Sequence, residues 1–154
     1  MTKVETKTVM IVDDEPDVLD TVAQILVTNG YKTIEAKDGQ ECLDRLREET
    51  PDIILLDIMM PGLTTKEILR EIEKDNRLSG VKIIFLTAIH MPEAEEGGLL
   101  ASKQVVDFIE KPFTIRRMID AIEKVICCFQ ILSVSRIWPN RECLRNPKSN
   151  LSRR

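Results

Sequence analysis

The chain has 154 residues, of which 43% are hydrophobic and 31% are charged, as is typical of one soluble globular domain with a full core. No apolar run approaches the roughly 18 residues that a membrane span requires, and the N-terminal segment lacks the apolar core of a signal peptide. We therefore expect a cytoplasmic protein without a membrane partner. Four cysteines without C-x-x-C spacing and a single histidine argue against a structural zinc site.

The net charge of −4 is unevenly distributed along the chain. Residues 127–154 hold six basic residues and one acid, a charge of +5, which leaves −9 for residues 1–126. An acidic body argues against nonspecific nucleic-acid binding, and the short tail shows no base-reading motif. We predict a domain over residues 1–126 and a basic C-terminal tail over 127–154. The tail would be disordered or an extension without selected function, which its composition slightly favours. Alternatively, the run over residues 125–134 would lengthen the last helix and bury an apolar face on a partner or a second copy.

Five short apolar runs alternate with helical patterns along residues 1–126. Because these runs lack polar alternation, they are typical of strands in a parallel sheet that helices cover on both faces. Right-handed crossovers between such strands predict a doubly wound α/β fold. The runs are residues 9–12, 32–36, 53–56, 81–86 and 105–109.

The first and fourth helical patterns differ in strength. The first places five apolar residues on one helical face, with Pro16 suited to its first turn and Gly30 to the position after its end. The fourth, over residues 92–103, contains Gly97-Gly98 and should be weak.

Capping signals precede the other three helices. Thr64 and Glu67 have the spacing of a capping box, and Asp38 and Glu41 come close to one. Thr114 can cap the last helix. The apolar residues of this helix would face inward. The inward residues would be Ile115, Met118, Ile119, Ile122, Val125 and Ile126.

Polar residues follow the strands at their carboxyl ends. Asp13 and Asp14 follow the first strand, Asp57 the third, Thr87 the fourth and Lys111 the fifth. Ligands of doubly wound sheets bind at this edge, where the strand order changes, so we expect these side chains to converge. Oxygen ligands without histidine or cysteine suit Mg²⁺, which takes one or two carboxylates and bridges to phosphate oxygens.

A carboxylate beside Mg²⁺ can also act as a nucleophile and form an aspartyl phosphate. Asp57 is the candidate, because it ends a central strand between the other two groups. Lys111 would pair with Asp57 and later with a phosphoryl oxygen, while the Thr87 hydroxyl would hydrogen-bond another. Such a set supplies the positioning and charge neutralisation that phosphoryl transfer needs.

This arrangement resembles that of response-regulator receiver domains, the CheY-like family of two-component signalling. The resemblance covers roughly residues 7–126 and implies a flavodoxin-like sheet of five parallel strands, in the order 2-1-3-4-5, with alternating βα units. It rests on Asp13-Asp14, Asp57, Met60-Pro61-Gly62, Thr87-Ala88 and Lys111-Pro112-Phe113.

The resemblance implies a role for each site residue. Asp13, Asp14, Asp57 and the backbone carbonyl of Met59 would bind Mg²⁺, with Lys111 completing the site. Asp57 would accept a phosphoryl group from a sensor histidine kinase or a histidine phosphotransfer protein. The protein would not be an enzyme beyond accepting and losing its own phosphoryl group.

The resemblance also implies a switch. Phosphorylation would draw Thr87 toward the phosphoryl group and turn Phe108 inward, which changes the surface of the fourth helix, fifth strand and fifth helix. A downstream protein target would bind this surface of a receiver-only regulator, which we expect to be a monomer or a phosphorylation-linked dimer. No nucleic-acid partner is expected.

Some residues depart from the family pattern. Thr64-Thr65 stand where the family often has Asp-Gly, and Gln104-Val105-Val106 stand near a common Gly-Ala-Asp. These positions lie on loops and on the output side of the domain. They therefore bear on partner identity and on the switching mechanism more than on phosphorylation of Asp57.

Other interpretations stay open. Mg²⁺-dependent phosphatases also form an aspartyl phosphate, but they typically resemble D-x-D-x-T after the first strand, where this chain has Asp13-Asp14-Glu15. The chain could also be a degenerate receiver that binds partners without phosphorylation, or a DNA-binding regulator truncated before its output domain. Phe108 could instead be an ordinary core aromatic.

Overall fold

Five parallel strands form one sheet in the computed structural model, which describes residues 5–88 and 101–134 except the side chains of Thr87 and of residues 128–134. The strands are β1 (Thr8–Val12), β2 (Lys32–Ala36), β3 (Ile53–Leu56), β4 (Lys82–Thr87) and β5 (Val105–Glu110). Their order in the sheet is β2-β1-β3-β4-β5, so the predicted doubly wound fold is confirmed.

The ends of β1, β4 and β5 differ by one residue from the predicted ones. Pairing with the neighbouring strand decides where a strand ends, and apolar content alone does not report it. Thr8 pairs with Lys32, and Thr87 pairs with Glu110. These polar residues therefore belong to the strands that the apolar runs predicted.

Four α-helices pack on the sheet within the described residues. They are α1 (Pro16–Thr28), α2 (Gly39–Glu48), α3 (Thr65–Lys74) and the C-terminal α4 (Ile115–Val134), with a short 3₁₀ helix at Asn76–Leu78. The predicted helix over residues 92–103 lies largely outside the described residues, and none of its last three residues, 101–103, is α-helical.

The sequence signals for helix ends have visible structural causes. Pro16 begins α1, and Gly30 follows its end with a φ of 87°, a left-handed conformation that favours glycine. Thr64 and Glu67 form a complete capping box at the start of α3. At α2 the Asp38 carboxylate accepts from the Glu41 N–H, but the Glu41 carboxylate accepts from the backbone one residue earlier, at Lys37.

The sheet separates two apolar cores. Successive residues of a strand point to opposite faces, so Met10 and Val12 pack with α2 and α3, whereas Val9 and Ile11 pack with α1 and α4. Both faces of β1 are therefore buried, which explains why its sequence lacks polar alternation.

The last helix continues beyond the predicted end of the domain, from residue 126 to Val134. The first part of the predicted tail, up to Val134, is thus helical, and residues 135–154 lie outside the described residues. The division at residue 126 stays a prediction. Across the portions of the chain that the structure describes, no helix combines the length and apolar character needed to cross a bilayer.

Candidate functional site

Two buried aspartates lie side by side where β1 and β3 end. The strands are neighbours in the sheet, and their backbone ladder continues into the residues that follow them. The Asp57 N–H donates to the Val12 carbonyl (3.0 Å), and the Asp13 N–H donates to the Ala36 carbonyl of β2 (3.2 Å). The sheet therefore holds both acids by their main chains.

The carboxylates of Asp13, Asp14 and Asp57 converge at this edge. Asp13 is 1% exposed and Asp57 4% exposed, whereas Asp14 is exposed. One oxygen from each of the three lies within 4.8 Å of the others. Ionised carboxylates repel at such distances and lose hydration on burial, so the cluster requires positive charge nearby.

Lys111 reaches into the cluster from the residue after β5. Its Nζ lies 2.6 Å from Asp13 Oδ2 and 3.2 Å from Asp57 Oδ2. The sequence led us to expect a pair with Asp57, and the structure places Lys111 between both acids and nearer to Asp13. Its side chain is 19% exposed, so this contact is largely shielded from solvent.

Backbone N–H groups hold the other oxygen of each buried acid. Asp13 Oδ1 accepts from the Glu15 N–H (3.0 Å), and Asp57 Oδ1 accepts from the Met59 N–H (2.9 Å). Sequence reasoning missed these bonds, although aspartate commonly accepts from the backbone two residues ahead. Each carboxylate is therefore oriented at both oxygens, with one turned toward Lys111.

The pKa values of Asp57 and Lys111 depend on burial and on the neighbouring charges. Burial raises the pKa of Asp57, and the charge of Asp13 raises it further, against the Met59 N–H and Lys111, which lower it. Burial alone would lower the pKa of Lys111, but the hydrogen bond with Asp13 and the charges of Asp57 and Asp13 raise it above its ordinary value. Lys111 therefore stays protonated at neutral pH.

The residues present fit a divalent cation such as Mg²⁺. Asp13, Asp14 and Asp57 offer carboxylate oxygens only, the ligand type that hard cations prefer. Lys111 contacts two of these three carboxylates and can balance one negative charge, which leaves the ionised cluster negative. The acidic cluster is thus consistent with the magnesium site that the resemblance to receiver domains implies.

The remaining predicted residues lie near the same edge or behind it. Thr87 ends β4, and its side chain lies outside the described part of the chain. Phe108 lies in β5 opposite Phe85, half-buried against the core on the α2 and α3 side. Sequence reasoning missed an ion pair beside it, between Asp107 and Arg117. No sequence spacing signals this contact, because it joins a strand to the following helix.

Comparisons with known proteins agree on one family. The family model described as response regulator receiver domain matches residues 9–123. The polar-differentiation response regulator DivK of Brucella ovis is 34% identical over 125 residues, which cover 79% of this chain and 97% of DivK. The phosphate regulon transcriptional regulatory protein PhoB of Pseudomonas aeruginosa is also 34% identical, over 78% of this chain and 52% of PhoB.

Solved structures show the same likeness. A CheY-like receiver domain protein from Methanospirillum hungatei has a TM-score of 0.68 and 35% identity, covering 84% of this chain and 99% of that protein. Chemotaxis protein CheY4 of Vibrio cholerae has a TM-score of 0.72 and 25% identity, over 79% and 99% of the two chains. Response regulator TrrA of Thermotoga maritima, solved with Mg²⁺ and BeF, has a TM-score of 0.66 and 28% identity, over 78% and 99%. The chain therefore belongs to the response regulator receiver domains, the CheY-like phosphoacceptor proteins of two-component signalling.

Proposed function

We propose that this chain is a receiver-only response regulator that accepts a phosphoryl group on Asp57. The observation that carries the proposal is the contact of Lys111 Nζ with both Asp13 and Asp57, at 2.6 and 3.2 Å. It joins the end of β5 to the ends of β1 and β3 in one charged site. DivK is itself a response regulator, and this chain is 34% identical to it over 97% of its length, which supports the proposal.

Asp57 would act as the nucleophile toward a phosphohistidine. A carboxylate oxygen of Asp57 forms a bond to phosphorus while the bond between phosphorus and the histidine nitrogen breaks. The nitrogen leaves with the electron pair, and the imidazole it belongs to can take up a proton. The Met59 N–H holds Asp57 Oδ1 at 2.9 Å, which orients the carboxylate before the donor arrives.

The other site residues would neutralise the phosphoryl oxygens. Lys111 would shift from the carboxylates toward a phosphoryl oxygen, and the Thr87 hydroxyl would donate to another. Mg²⁺, held by Asp13, Asp14, Asp57 and the Met59 carbonyl, would supply further positive charge there. Positioning and charge neutralisation are the main requirements of this chemistry.

Phosphorylation would then change partner binding. We infer that Thr87 moves toward the phosphoryl group, that Phe108 turns inward and that the surface along β5 and α4 changes, together with the segment over residues 92–103. A sensor histidine kinase or a histidine phosphotransfer protein would be the donor, and a downstream protein would bind the changed surface. The exchange would take place in the cytoplasm, where receiver domains typically act.

Intact mass spectrometry tests the phosphoacceptor directly. The protein is incubated with Mg²⁺ and acetyl phosphate as wild type, as Asp57→Asn and as Asp20→Asn, which removes an exposed acid of α1. We expect wild type and Asp20→Asn to gain one phosphoryl group, and Asp57→Asn or EDTA-treated protein to gain none. If wild type gains no phosphoryl group under conditions that modify a control receiver, the proposal fails. The chain would then be a binding module that works without phosphorylation.

A further inference from the structure

Asp107 and Arg117 form an ion pair that joins β5 to α4. Nη1 and Nη2 of Arg117 each lie 3.3 Å from an oxygen of the Asp107 carboxylate. The two side chains are 24% and 48% exposed, respectively. A guanidinium that meets a carboxylate through two nitrogens fixes the orientation of the partners as well as their distance.

The same two side chains hold both backbone polar groups of Phe108. The Phe108 N–H donates to Asp107 Oδ1 at 2.8 Å, and the Phe108 carbonyl accepts from Arg117 Nη2 at 3.4 Å. β5 is an edge strand that pairs with β4 alone, so alternate residues turn their N–H and C=O groups away from the sheet. At Phe108 the ion pair occupies the place that another strand would take.

Holding these groups restrains the Phe108 side chain. The rotamers open to a side chain depend on its backbone φ and ψ, and hydrogen bonds at both the N–H and the C=O limit changes in these angles. Phe108 lies opposite Phe85 and packs against the core while half-buried. Its rotamer balance is therefore coupled to a contact on the surface of the molecule.

We propose that the Asp107–Arg117 ion pair is a latch that holds Phe108 in its resting conformation and thereby slows phosphorylation of Asp57. This inference rests on the proposed function. Arg117 acts through Phe108 and is a positioning residue. Interactions that stabilise only the resting state lower the population of the reactive one. An exposed ion pair contributes only modestly to stability. Its loss should therefore raise the ratio of reactive to resting conformations about fivefold, which corresponds to about 1 kcal/mol.

Phosphorylation kinetics test the latch with matched variants. Arg117→Gln removes the guanidinium, while Arg116→Gln removes the same charge from the adjacent exposed position. With acetyl phosphate and Mg²⁺, we expect the initial rate to rise about fivefold in Arg117→Gln and in Asp107→Asn. The double variant should gain no more than either single one, because the two side chains act as a unit. Arg117→Lys keeps the positive charge but cannot meet the carboxylate through two nitrogens, so its initial rate should lie between those of wild type and Arg117→Gln.

An unchanged rate in Arg117→Gln, or an equal rise in Arg116→Gln, would overturn the latch. A second measurement needs no phosphoryl group: hydrogen exchange of the Phe108 amide, followed by NMR, should quicken about fivefold in unphosphorylated Arg117→Gln. Unaltered exchange there would also overturn the latch. If wild type gains no phosphoryl group, the proposed function fails separately, and the exchange rate still decides whether the ion pair holds Phe108.

Discussion

Replacing Lys111 with methionine removes the positive charge between two buried acids and keeps most of the apolar stem. In the wild type, Lys111 Nζ contacts Asp13 Oδ2 at 2.6 Å and Asp57 Oδ2 at 3.2 Å, and the acids are 1% and 4% exposed. In the variant each of these oxygens loses its lysine partner. The two carboxylates then face each other without the ammonium group.

The expected cost follows from burial and charge. Removing one partner of a buried ion pair costs about 3–5 kcal/mol. The Lys111 side chain is 19% exposed, so solvent screens part of this cost, and we expect a loss of about 3 kcal/mol at pH 7 in EDTA.

The loss should depend on pH with a definite sign. Burial already raises the pKa of Asp57, and Lys111 opposes that rise, so the variant should raise this pKa further. An acid whose pKa is higher in the folded than in the unfolded state binds more protons when folded, and stability then falls as pH rises. Because the unfolded state is common to both proteins, the gap between variant and wild type should open above the raised folded-state pKa of wild-type Asp57 and widen toward pH 7.

Urea unfolding followed by circular dichroism, in EDTA at pH 4.5 and pH 7, measures the effect. Lys124→Met, on an exposed position of α4, is the matched control and should change stability little. Added Mg²⁺ should restore more stability to Lys111→Met than to wild type, because Lys111 contacts the same carboxylates that would bind the cation. A loss below about 1 kcal/mol at pH 7, or an equal loss at both pH values, would refute the charge-balancing role of Lys111.

Three further predictions concern stability and reactivity. Gln104 is buried, and its amide nitrogen donates to two backbone carbonyls before β4. Gln104→Ala should lower the free energy of unfolding in urea by about 2–3 kcal/mol, and a loss no larger than that of the exposed Gln40→Ala would contradict this. Thr64→Ala breaks the capping box of α3 and should cost about 1 kcal/mol by the same measurement, with Thr64→Ser as the neutral control. Burial raises the pKa of the Cys42 thiol to about 12, so N-ethylmaleimide at pH 7.5 should label the exposed Cys127 and leave Cys42 unmodified in native protein. Peptide mapping by mass spectrometry checks this, and labelling of both at similar rates would show that the β1–α2 core opens.

The cluster of acids was predictable because it depends on few features of the chain. Continuous apolar runs identify buried parallel strands, and the carboxyl ends of such strands share one edge of the sheet. Asp13, Asp57 and Lys111 directly follow three of these strands, so their convergence follows from local sequence and topology together. The strand order was implied by family resemblance, since apolar pattern alone does not state which strands pair.

Contacts between side chains distant in sequence needed the tertiary structure. The bonds of Gln104 to the chain before β4, and of Arg117 to Asp107 and Phe108, join elements whose relative placement depends on how the helices pack. No spacing in the sequence encodes such distances, because helix crossing and loop path decide them.

Local sequence specifies the alternating strands and helices, their capping residues and the acids, hydroxyl and lysine at the strand ends. These features follow from hydrophobic periodicity and backbone hydrogen bonding, which act over a few residues. Two other features depend on tertiary packing: Lys111 lies closer to Asp13 than to Asp57, and an ion pair covers the edge of β5 at Phe108. Distances of this kind arise from the packing of the whole sheet and its helices, where a shift of about 1 Å makes or breaks a hydrogen bond.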